Sequence, residues 1–455
     1  MTRMRPLADA TPRRARHLPR QAGPAAWNVI LGAQGAATPL EADCTADFAI
    51  IGGGFAGLSA ARQLLHHDPS ARVVLLEAGR IGEGPAGRNS GFMIDLPHDL
   101  SSSDYAGSGD DRAQIAMNRQ AIAFARAAVR DYGIPAAYFD PAGKVNGAVS
   151  DAALAHNTSY ARHLDDLGES YELLDRQQMR ELTGSAYYRG GLYTPGTVML
   201  QPAGYVRGLA AGLAGQGVQV HEDSPVTALR RIGPDWRLDT PRAAVTAGRV
   251  IMANNGYLES FGYARGRLMQ LVLFASMSRE LSPDEITHLG GAPRWGVTPS
   301  DPMGTTMRRI DSAQGGNRIV TRSCAVLRSG MRVRGHDLAR AARVHRAKFD
   351  ARFPQLSEVE QEFSWSGQLC LSLNGVAVSR ELEPGLFSAC VQNGLGTARG
   401  TLTGICAADL ACGVDSDIAR HFTAETQPRR LPPRLVRDVG ANAVLRWKEW
   451  RARSE

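Results

Sequence analysis

The feature that most constrains the fold of this chain is a glycine-rich turn that follows an apolar strand. The turn has the form Gly52-x-Gly54-x-x-Gly57, and Glu77 stands 20 residues after its last glycine, directly after the apolar run Val73–Leu76. The glycines permit a tight turn and a close approach of the backbone to a pyrophosphate, which would lie at the N-terminus of the following helix. The sequence therefore predicts a parallel α/β unit that binds a dinucleotide.

The residues after the second strand indicate the kind of dinucleotide. Glu77 is positioned to accept hydrogen bonds from ribose hydroxyls, which favours a ribose without a 2′-phosphate. Nicotinamide and flavin dinucleotides both use such a turn, so the next segment has to distinguish them. That segment, residues 78–92, is dense in glycine and longer than the usual short connection of an α/β unit.

Three segments of the chain resemble the D-amino-acid oxidase/sarcosine oxidase family of amine-oxidising flavoproteins. The core of the long loop, Gly87-Arg88-Asn89-Ser90-Gly91, resembles the loop that carries flavin in that family. Residues 393–404 resemble its last glycine-rich block, and residues 249–256 resemble the strand that returns to the nucleotide. The resemblance covers residues 47 to about 413.

The resemblance implies non-covalent FAD and a defined set of cofactor-binding residues. Arg88 is expected on the flavin side, because a guanidinium is permanently charged and offsets negative charge near the ring. The residues expected to bind FAD are Gly52, Gly54, Phe55, Ala56, Gly57, Glu77, Ala78, Arg88, Asn89, Ser90, Gly91, Val226, Asn254, Gly394, Gly396 and Thr397. Cys370 lies in the region where some relatives attach flavin covalently, but a buried apolar cysteine is the preferred interpretation.

The predicted fold class is α/β (mixed α+β), with a discontinuous Rossmann-type FAD-binding domain and an interleaved substrate domain built on an antiparallel sheet with helices. Residues 47–97, 195–260 and 365–425 are predicted to form the FAD-binding domain, and residues 98–194 and 261–364 the substrate domain. Helical periodicity is seen over residues 112–131, 151–168 and 175–182. Residues 1–46 are predicted to be a basic, flexible arm, in which the apolar segment at residues 27–31 is a candidate for docking on the body, and residues 426–455 a C-terminal tail.

Composition narrows the possible partners. The formal net charge is +7, but six arginines and one aspartate in the first 20 residues contribute +5 of it, so the body is nearly neutral. No basic stripe with interleaved aromatics indicates nucleic-acid binding, and no apolar run reaches the length of a membrane span. The six cysteines form no C-x-x-C pair and have no metal-ligand spacing, so we expect no metal and a cytoplasmic protein.

Four residues are candidates for the substrate site. Arg308 and Arg309 lie on one predicted strand and face opposite sides, so at most one can bind a substrate's acid group, and Arg322 is the third candidate. His98 follows the flavin loop and has a suitable pKa for a base. Each of these side chains could also be structural.

The resemblance implies oxidation of a primary or secondary amine that carries an acidic group, with oxygen or an electron carrier reoxidising the flavin. Two alternatives remain open. One is a flavin-dependent 2-hydroxy-acid dehydrogenase. The other is a flavin-binding electron-transfer subunit, for which the basic arm and the tail at residues 445–451, rich in Arg and Trp, would serve docking. The exact substrate and the oligomeric state are not indicated.

Overall fold

The computed structural model describes residues 11–97, 110–301 and 303–455. Within these ranges the strands are β1 (Arg13–Arg14), β2 (Cys44–Ile51), β3 (Val73–Leu76), β4 (Phe92–Met93), β5 (Phe139–Asp140), β6 (Lys144–Ala148), β7 (Glu172–Leu174), β8 (Gly190–Thr194), β9 (Val198–Leu200), β10 (Gln219–His221), β11 (Ala228–Ile232), β12 (Asp235–Asp239), β13 (Ala244–Met252), β14 (Leu268–Ser278), β15 (Trp295–Pro299), β16 (Thr306–Ile310), β17 (Arg318–Leu327), β18 (Gln361–Ser372), β19 (Val378–Glu383) and β20 (Leu386–Cys390). The α-helices there are α1 (Ala26–Val29), α2 (Phe55–His67), α3 (Asp111–Asp131), α4 (Asp151–Leu167), α5 (Arg176–Thr183), α6 (Pro202–Gly215), α7 (Pro283–Leu289), α8 (Gly335–Arg352), α9 (Ala398–Cys412), α10 (Asp417–Ala424) and α11 (Arg434–Arg451).

The first sheet contains the glycine turn. Its order is β1-β11-β12-β13-β2-β3-β10, with β20 paired to β13 and β19 paired to β20. Strands β2, β3, β10, β13 and β20 run parallel to their neighbours in the centre, whereas β1, β11, β12 and β19 add antiparallel pairs. The central strands are buried on both faces, which explains why they read as continuous apolar runs instead of alternating ones.

Helices α2, α3, α6 and α9 share one hydrophobic core on a face of this sheet. Glycine permits two of the closest approaches there. A Cβ on Gly57 would lie 1.9 Å from the carbonyl oxygen of Gly52, so α2 can start directly against the turn only with glycine at this position. A Cβ on Gly404 would lie 2.2 Å from the carbonyl oxygen of Ala56, which lets α9 pack against the first turn of α2.

The second sheet has eight strands in the order β18-β14-β17-β16-β15-β6-β8-β7. Its neighbours are antiparallel except for β15 and β6. Helix α8 packs against β14 and β17, and α11 packs against β17. A small third sheet, β4-β9-β5, lies after the flavin-type loop in sequence.

The mixed α/β fold is confirmed, but three predicted boundaries differ from the structure. Strand β18 pairs with β14 along its whole length, so residues 365–372 belong to the second sheet and not to the first. Helix α3 was expected in the substrate domain, yet its buried residues Met117, Ala121 and Ala125 join the core of α2 and α9. The sequence of a strand or helix does not indicate which sheet it will join or pack against, so local sequence could not decide either placement.

The third difference concerns the N-terminal arm, defined here as residues 11–31. Its strand β1 pairs with β11, the indole of Trp27 is completely buried, and the backbone N–H of His17 donates to Ser260 Oγ at 2.7 Å. This part of the predicted flexible arm is therefore packed on the body. Among the described helices, none is both long and apolar enough to cross a membrane.

Candidate active site

A large cavity lies between the two main sheets. On one side it is lined by residues that follow the carboxyl ends of the parallel strands β2, β3, β13 and β20. On the other side it is lined by β14 to β18 of the second sheet, including Thr298, Thr306 and Arg322. Ligands of open α/β sheets bind at the carboxyl ends of the strands, so the fold directs attention to this cavity.

The glycine turn and Glu77 form the end of the cavity at β2 and β3. The Glu77 carboxylate accepts hydrogen bonds from the backbone N–H groups of Gly53, at 2.7 Å, and Gly79, at 3.1 Å. Burial raises the pKa of Glu77, although these backbone hydrogen bonds act in the opposite direction. A buried carboxylate of this kind is stabilised by further donors, and ribose hydroxyls are suitable ones.

The loop after Glu77 is held in place by Arg88, which is buried in the cavity wall. Its guanidinium donates to three backbone carbonyls: Glu83, at 2.6 Å, Ser366, at 3.0 Å, and Gly23 of the N-terminal arm. Burial lowers the pKa of Arg88 to about 10. Arg88 thus joins the loop, strand β18 and the arm, a structural role that the sequence analysis did not predict.

Most of the predicted FAD-binding residues line this cavity. Those that do are Gly52, Gly54, Phe55, Ala56, Glu77, Ala78, Arg88, Asn89, Ser90, Val226, Asn254, Gly394, Gly396 and Thr397. Gly57 and Gly91 are not part of the lining. Gly57 packs against Gly52, and a Cβ on Gly91 would lie 2.1 Å from the Arg308 guanidinium, so both glycines allow close packing behind the wall.

Two of the predicted substrate arginines are placed outside the cavity lining. Arg308 donates to the backbone carbonyls of Ser90, at 3.1 Å, and Leu200, at 2.5 Å, so it supports the flavin-type loop from behind. Arg309 donates to the carbonyl of Gly290 on the other side of the strand. Both arginines are buried. Each donates hydrogen bonds to backbone carbonyls within the protein, because both faces of their strand are covered.

Arg322 is the predicted arginine that lines the cavity. Its register neighbours are Thr306 on β16 and Ala275 on β14, and both of these also line the cavity. Thr298 on β15 completes a row of side chains across the sheet. His98 lies outside the described residues.

Several residues of the cavity wall were missed by the sequence analysis. Thr298 and Thr306 become visible only once the register of three strands is known, because nothing in their local sequence distinguishes them. The arm contributes His17, Leu18 and Pro19, which stand far from the rest of the site in sequence.

Lys144 is buried behind this wall, where its ammonium donates to Asn146 Oδ1, and Asn146 Oδ1 also accepts from Thr298 Oγ1 at 2.8 Å. Burial lowers the pKa of Lys144 to about 8. Its hydrogen-bond partner therefore contacts the wall that the substrate would meet.

Cys370 also lines the cavity but is almost inaccessible. Burial raises the pKa of its thiol well above the usual range. Because the thiolate is the reactive form of cysteine, this environment favours an inert, packed side chain.

The turn, the buried acid at a strand end and the cavity closed by a second sheet define a dinucleotide-dependent enzyme fold. The chain belongs to the FAD dependent oxidoreductase (DAO) family, whose model matches residues 47–410. It is therefore an FAD-dependent oxidoreductase.

Similar proteins agree with this assignment. The chain is 24% identical to a probable oxidoreductase OrdL of Haemophilus influenzae, over 88% of this chain and 91% of that protein. It is 31% identical to the gamma-glutamylputrescine oxidoreductase of Escherichia coli, over 48% of this chain and 51% of that protein. The crystal structure of glycine oxidase from Geobacillus kaustophilus superimposes with a TM-score of 0.69 at 20% identity, covering 84% of this chain and all of that one, which supports the fold.

The cavity also fits FAD on its own chemistry. Besides Glu77, the amide nitrogen Nδ2 of Asn254 is buried in the wall and has no hydrogen-bond partner among the described residues. A buried donor without a partner is costly, and a bound polar group would satisfy it.

Proposed function

We propose that this protein oxidises a small primary or secondary amine that carries an acidic group, and that the oxidised product is an imine that water hydrolyses. The observation that carries the proposal is the cavity face of the second sheet, where Arg322 lies opposite Thr306 in the strand pairing and Thr298 lines the same cavity. The acceptor that finally receives the electrons is oxygen or an electron carrier.

The residues proposed to hold FAD are those of the first side of the cavity. Glu77 would accept from the ribose, and the N-terminus of α2 at Gly54–Ala56 would face the pyrophosphate. Thr397 and the glycines before α9 would pack against the isoalloxazine side. When bound, FAD accepts the hydride removed from the substrate carbon. With Cys370 packed and its thiol pKa raised, we propose that the cofactor is non-covalent.

The charge of the second sheet favours an acidic substrate. Among the described cavity-lining residues of β14 to β18, Arg322 is the charged side chain, and Asp, Glu, Lys and His are absent. A guanidinium binds a carboxylate through two parallel hydrogen bonds, and the neighbouring apolar residues, such as Leu273 and Ala275, suit a short aliphatic chain. A second cationic group on the substrate would find no carboxylate on this face.

The cavity-lining residues of the second sheet also favour an amine substrate over an alcohol substrate. An amine loses its hydride from the neutral form without a protein base, whereas an alcohol needs a base to take its hydroxyl proton. The described residues of the second sheet in the cavity include no side chain suited to that task. The free state of all six cysteines supports a reducing, cytoplasmic location.

Anaerobic reduction of the bound flavin tests this function. We expect the visible absorbance to be lost with amino acids, N-methyl amino acids or amines that carry a phosphonate or sulfonate, and not with 2-hydroxy acids. Reduction by hydroxy acids alone would overturn the proposal. Reduction by no member of either class would favour the electron-transfer alternative.

Variants of one strand test the anchor. Arg322→Ala should raise KM about 10- to 100-fold by loss of a charge-assisted hydrogen bond, with Arg322→Lys intermediate and flavin content unchanged. Arg318→Ala is the matched control, because Arg318 is on the same strand, pairs with Glu362 and does not line the cavity. Equal effects of Arg322→Ala and Arg318→Ala would contradict the assignment.

A further inference from the structure

Helix α11 carries an unusual concentration of exposed apolar side chains. Of the eleven large hydrophobic residues that are exposed in the described part of the chain, six lie on this helix. They are Leu435, Val436, Val439, Val444, Trp447 and Trp450, with exposed fractions between 51% and 78%. Large apolar residues that are exposed singly are normal, but a contiguous group of them marks an interaction surface.

The helix is attached to the body by its polar side. Asn442 exchanges hydrogen bonds with the backbone of Leu327, and Glu449 accepts from the backbone N–H of Ala325 at 2.8 Å. Near the start of the helix, Asp438 accepts from Ser329 Oγ. A surface helix normally buries its apolar face and exposes its polar one. In α11 this arrangement is reversed.

The exposed side of α11 combines an apolar arc with basic residues at its edges. At about 100° per residue, Val436, Val439, Ala443, Val444, Trp447 and Trp450 fall within one arc of about 140°. Basic residues border that arc: Arg446 is on one side and Lys448 on the other, with Arg451 inside it stacked on the Trp447 ring, 5.0 Å from its centroid. The two carboxylates of the helix are already paired: Glu449 with Arg340 of the body and with Arg446, and Asp438 with its neighbour Arg437.

These charges restrict what can cover the face. In a symmetric contact between two copies, Lys448 and Arg451 of one helix would meet the same surface of the other, where both carboxylates of the helix are already paired with arginines. An anionic bilayer supplies both missing components, an apolar interior for the arc and negative headgroups for its border. Tryptophan is also the side chain that favours the boundary between headgroups and acyl chains.

We propose that α11 binds the surface of a membrane that contains anionic lipids, lying flat with its Trp447 and Trp450 side inserted. The inference does not depend on the proposed substrate. It also has a consequence for the cavity, since Ser329, which α11 holds, belongs to the same loop as the cavity-lining residue Met331. One wall of the active site is thereby tied to the membrane-facing helix.

Vesicle binding by the full-length, FAD-loaded protein tests this directly. The four other tryptophans of the chain are buried, so a blue shift of tryptophan emission reports Trp447 and Trp450. We expect the shift, together with cosedimentation, on phosphatidylcholine vesicles that contain phosphatidylglycerol, and much less on phosphatidylcholine alone. At about 1 M NaCl, where the Debye length is about 3 Å, binding should weaken strongly.

Matched variants distinguish binding through α11 from non-specific hydrophobic binding. Trp447→Ser/Trp450→Ser should lower the partition coefficient about tenfold or more, and Lys448→Gln/Arg451→Gln should lower it about fivefold per charge. The control Leu173→Ser/Leu373→Ser removes two similarly exposed apolar residues elsewhere and should leave binding unchanged. Retained flavin absorbance and melting temperature establish that each variant is folded.

Two results would overturn the proposal. One is the absence of cosedimentation with anionic vesicles by the folded wild type. The other is a wild-type dimer, seen by sedimentation velocity without lipid, that Trp447→Ser/Trp450→Ser converts to a monomer, because the face would then belong to a second copy. Loss of amine oxidation in either case is not required, so failure here is separable from failure of the proposed function.

Discussion

His345 is a buried histidine on helix α8, which packs against the second sheet. Its Nε2 accepts a hydrogen bond from the backbone N–H of Ser323 at 3.2 Å, and its Nδ1 lies 2.8 Å from Ser276 Oγ. Burial is the main reason that its pKa is lowered to about 4, and the positive charges of Arg322 and Arg340 lower it further. The folded protein therefore resists protonation of this ring.

This depressed pKa makes stability depend on pH. The unfolded chain binds a proton near pH 6.5 and the folded protein only near pH 4, so the stability associated with neutral His345 is present above pH 6.5 and is lost as the pH falls between these values, by about 1.4 kcal/mol per unit. We expect the melting temperature of His345→Gln to fall less over this range than that of the wild type. The exposed His288 provides the control, since His288→Gln should retain the wild-type slope; identical slopes for all three proteins would contradict the prediction.

Individual residues differ in how far the sequence could predict them. Glu77 and the glycines act through local geometry, and the turn that they form reveals its chemistry in a few residues. The proposed substrate anchor, Arg322, could not be singled out in this way. Strand alternation correctly separates Arg308 from Arg309, but only the pairing of β15, β16 and β17 reveals that Arg322 is the arginine that reaches the cavity.

At the scale of elements, the N-terminal arm forms part of the wall of the cavity. Helix α1 within it is only four residues long, and Trp27 anchors it in a core with Ala203, Ala275 and Met277. From this anchor, Gly23 accepts from Arg88, and Leu18 and Pro19 reach the cavity. Composition suggested a mobile segment because basic residues and proline dominate it, with docking on the body expected only at residues 27–31, where Trp27 is indeed buried.

Removal of that anchor should loosen the arm. Trp27→Ala should destabilise the protein by about 3 to 5 kcal/mol, the usual range for a fully buried aromatic side chain, and should increase the rate of FAD release. Denaturant unfolding and flavin fluorescence in the filtrate measure the two effects. Val29 is on the same short helix but 44% exposed, so Val29→Ala should change neither, and a comparable loss there would mean that the arm is not held by Trp27.

The bounds of a helix were easier to predict than the sheet against which it packs. The predicted helix over residues 112–131 coincides almost completely with α3, since its periodicity is local. That α3 packs on the first sheet depends on its contact with α9, which is nearly 300 residues away in sequence. No local pattern encodes such a contact. The tail was recognised as rich in Arg and Trp, but the reversed orientation of α11 required its contacts with β17.

At the scale of the whole molecule, residues of both main sheets line the cavity. Bound FAD should therefore stabilise the folded state of both parts together. We expect the melting temperature of the apoprotein to rise with added FAD, since a ligand at 100 times its Kd contributes about 2.7 kcal/mol to the folded state. FMN should have little effect because it lacks the adenosine ribose proposed to meet Glu77. In Glu77→Ala the response to FAD should shift to higher concentrations, and an equal response of the wild type to FMN and FAD would contradict this role.

The position of the arm has a consequence for the time course of synthesis. Arg13 is synthesised 370 residues before its ion-pair partner Glu383. At about 5 to 20 residues per second, this interval is roughly 20 to 75 s. Throughout that period the cavity lacks strand β20, and the core that buries Trp27 stays incomplete until Trp365 has been synthesised. The cofactor site can therefore close only after Glu383 and the following strand β20 have been synthesised.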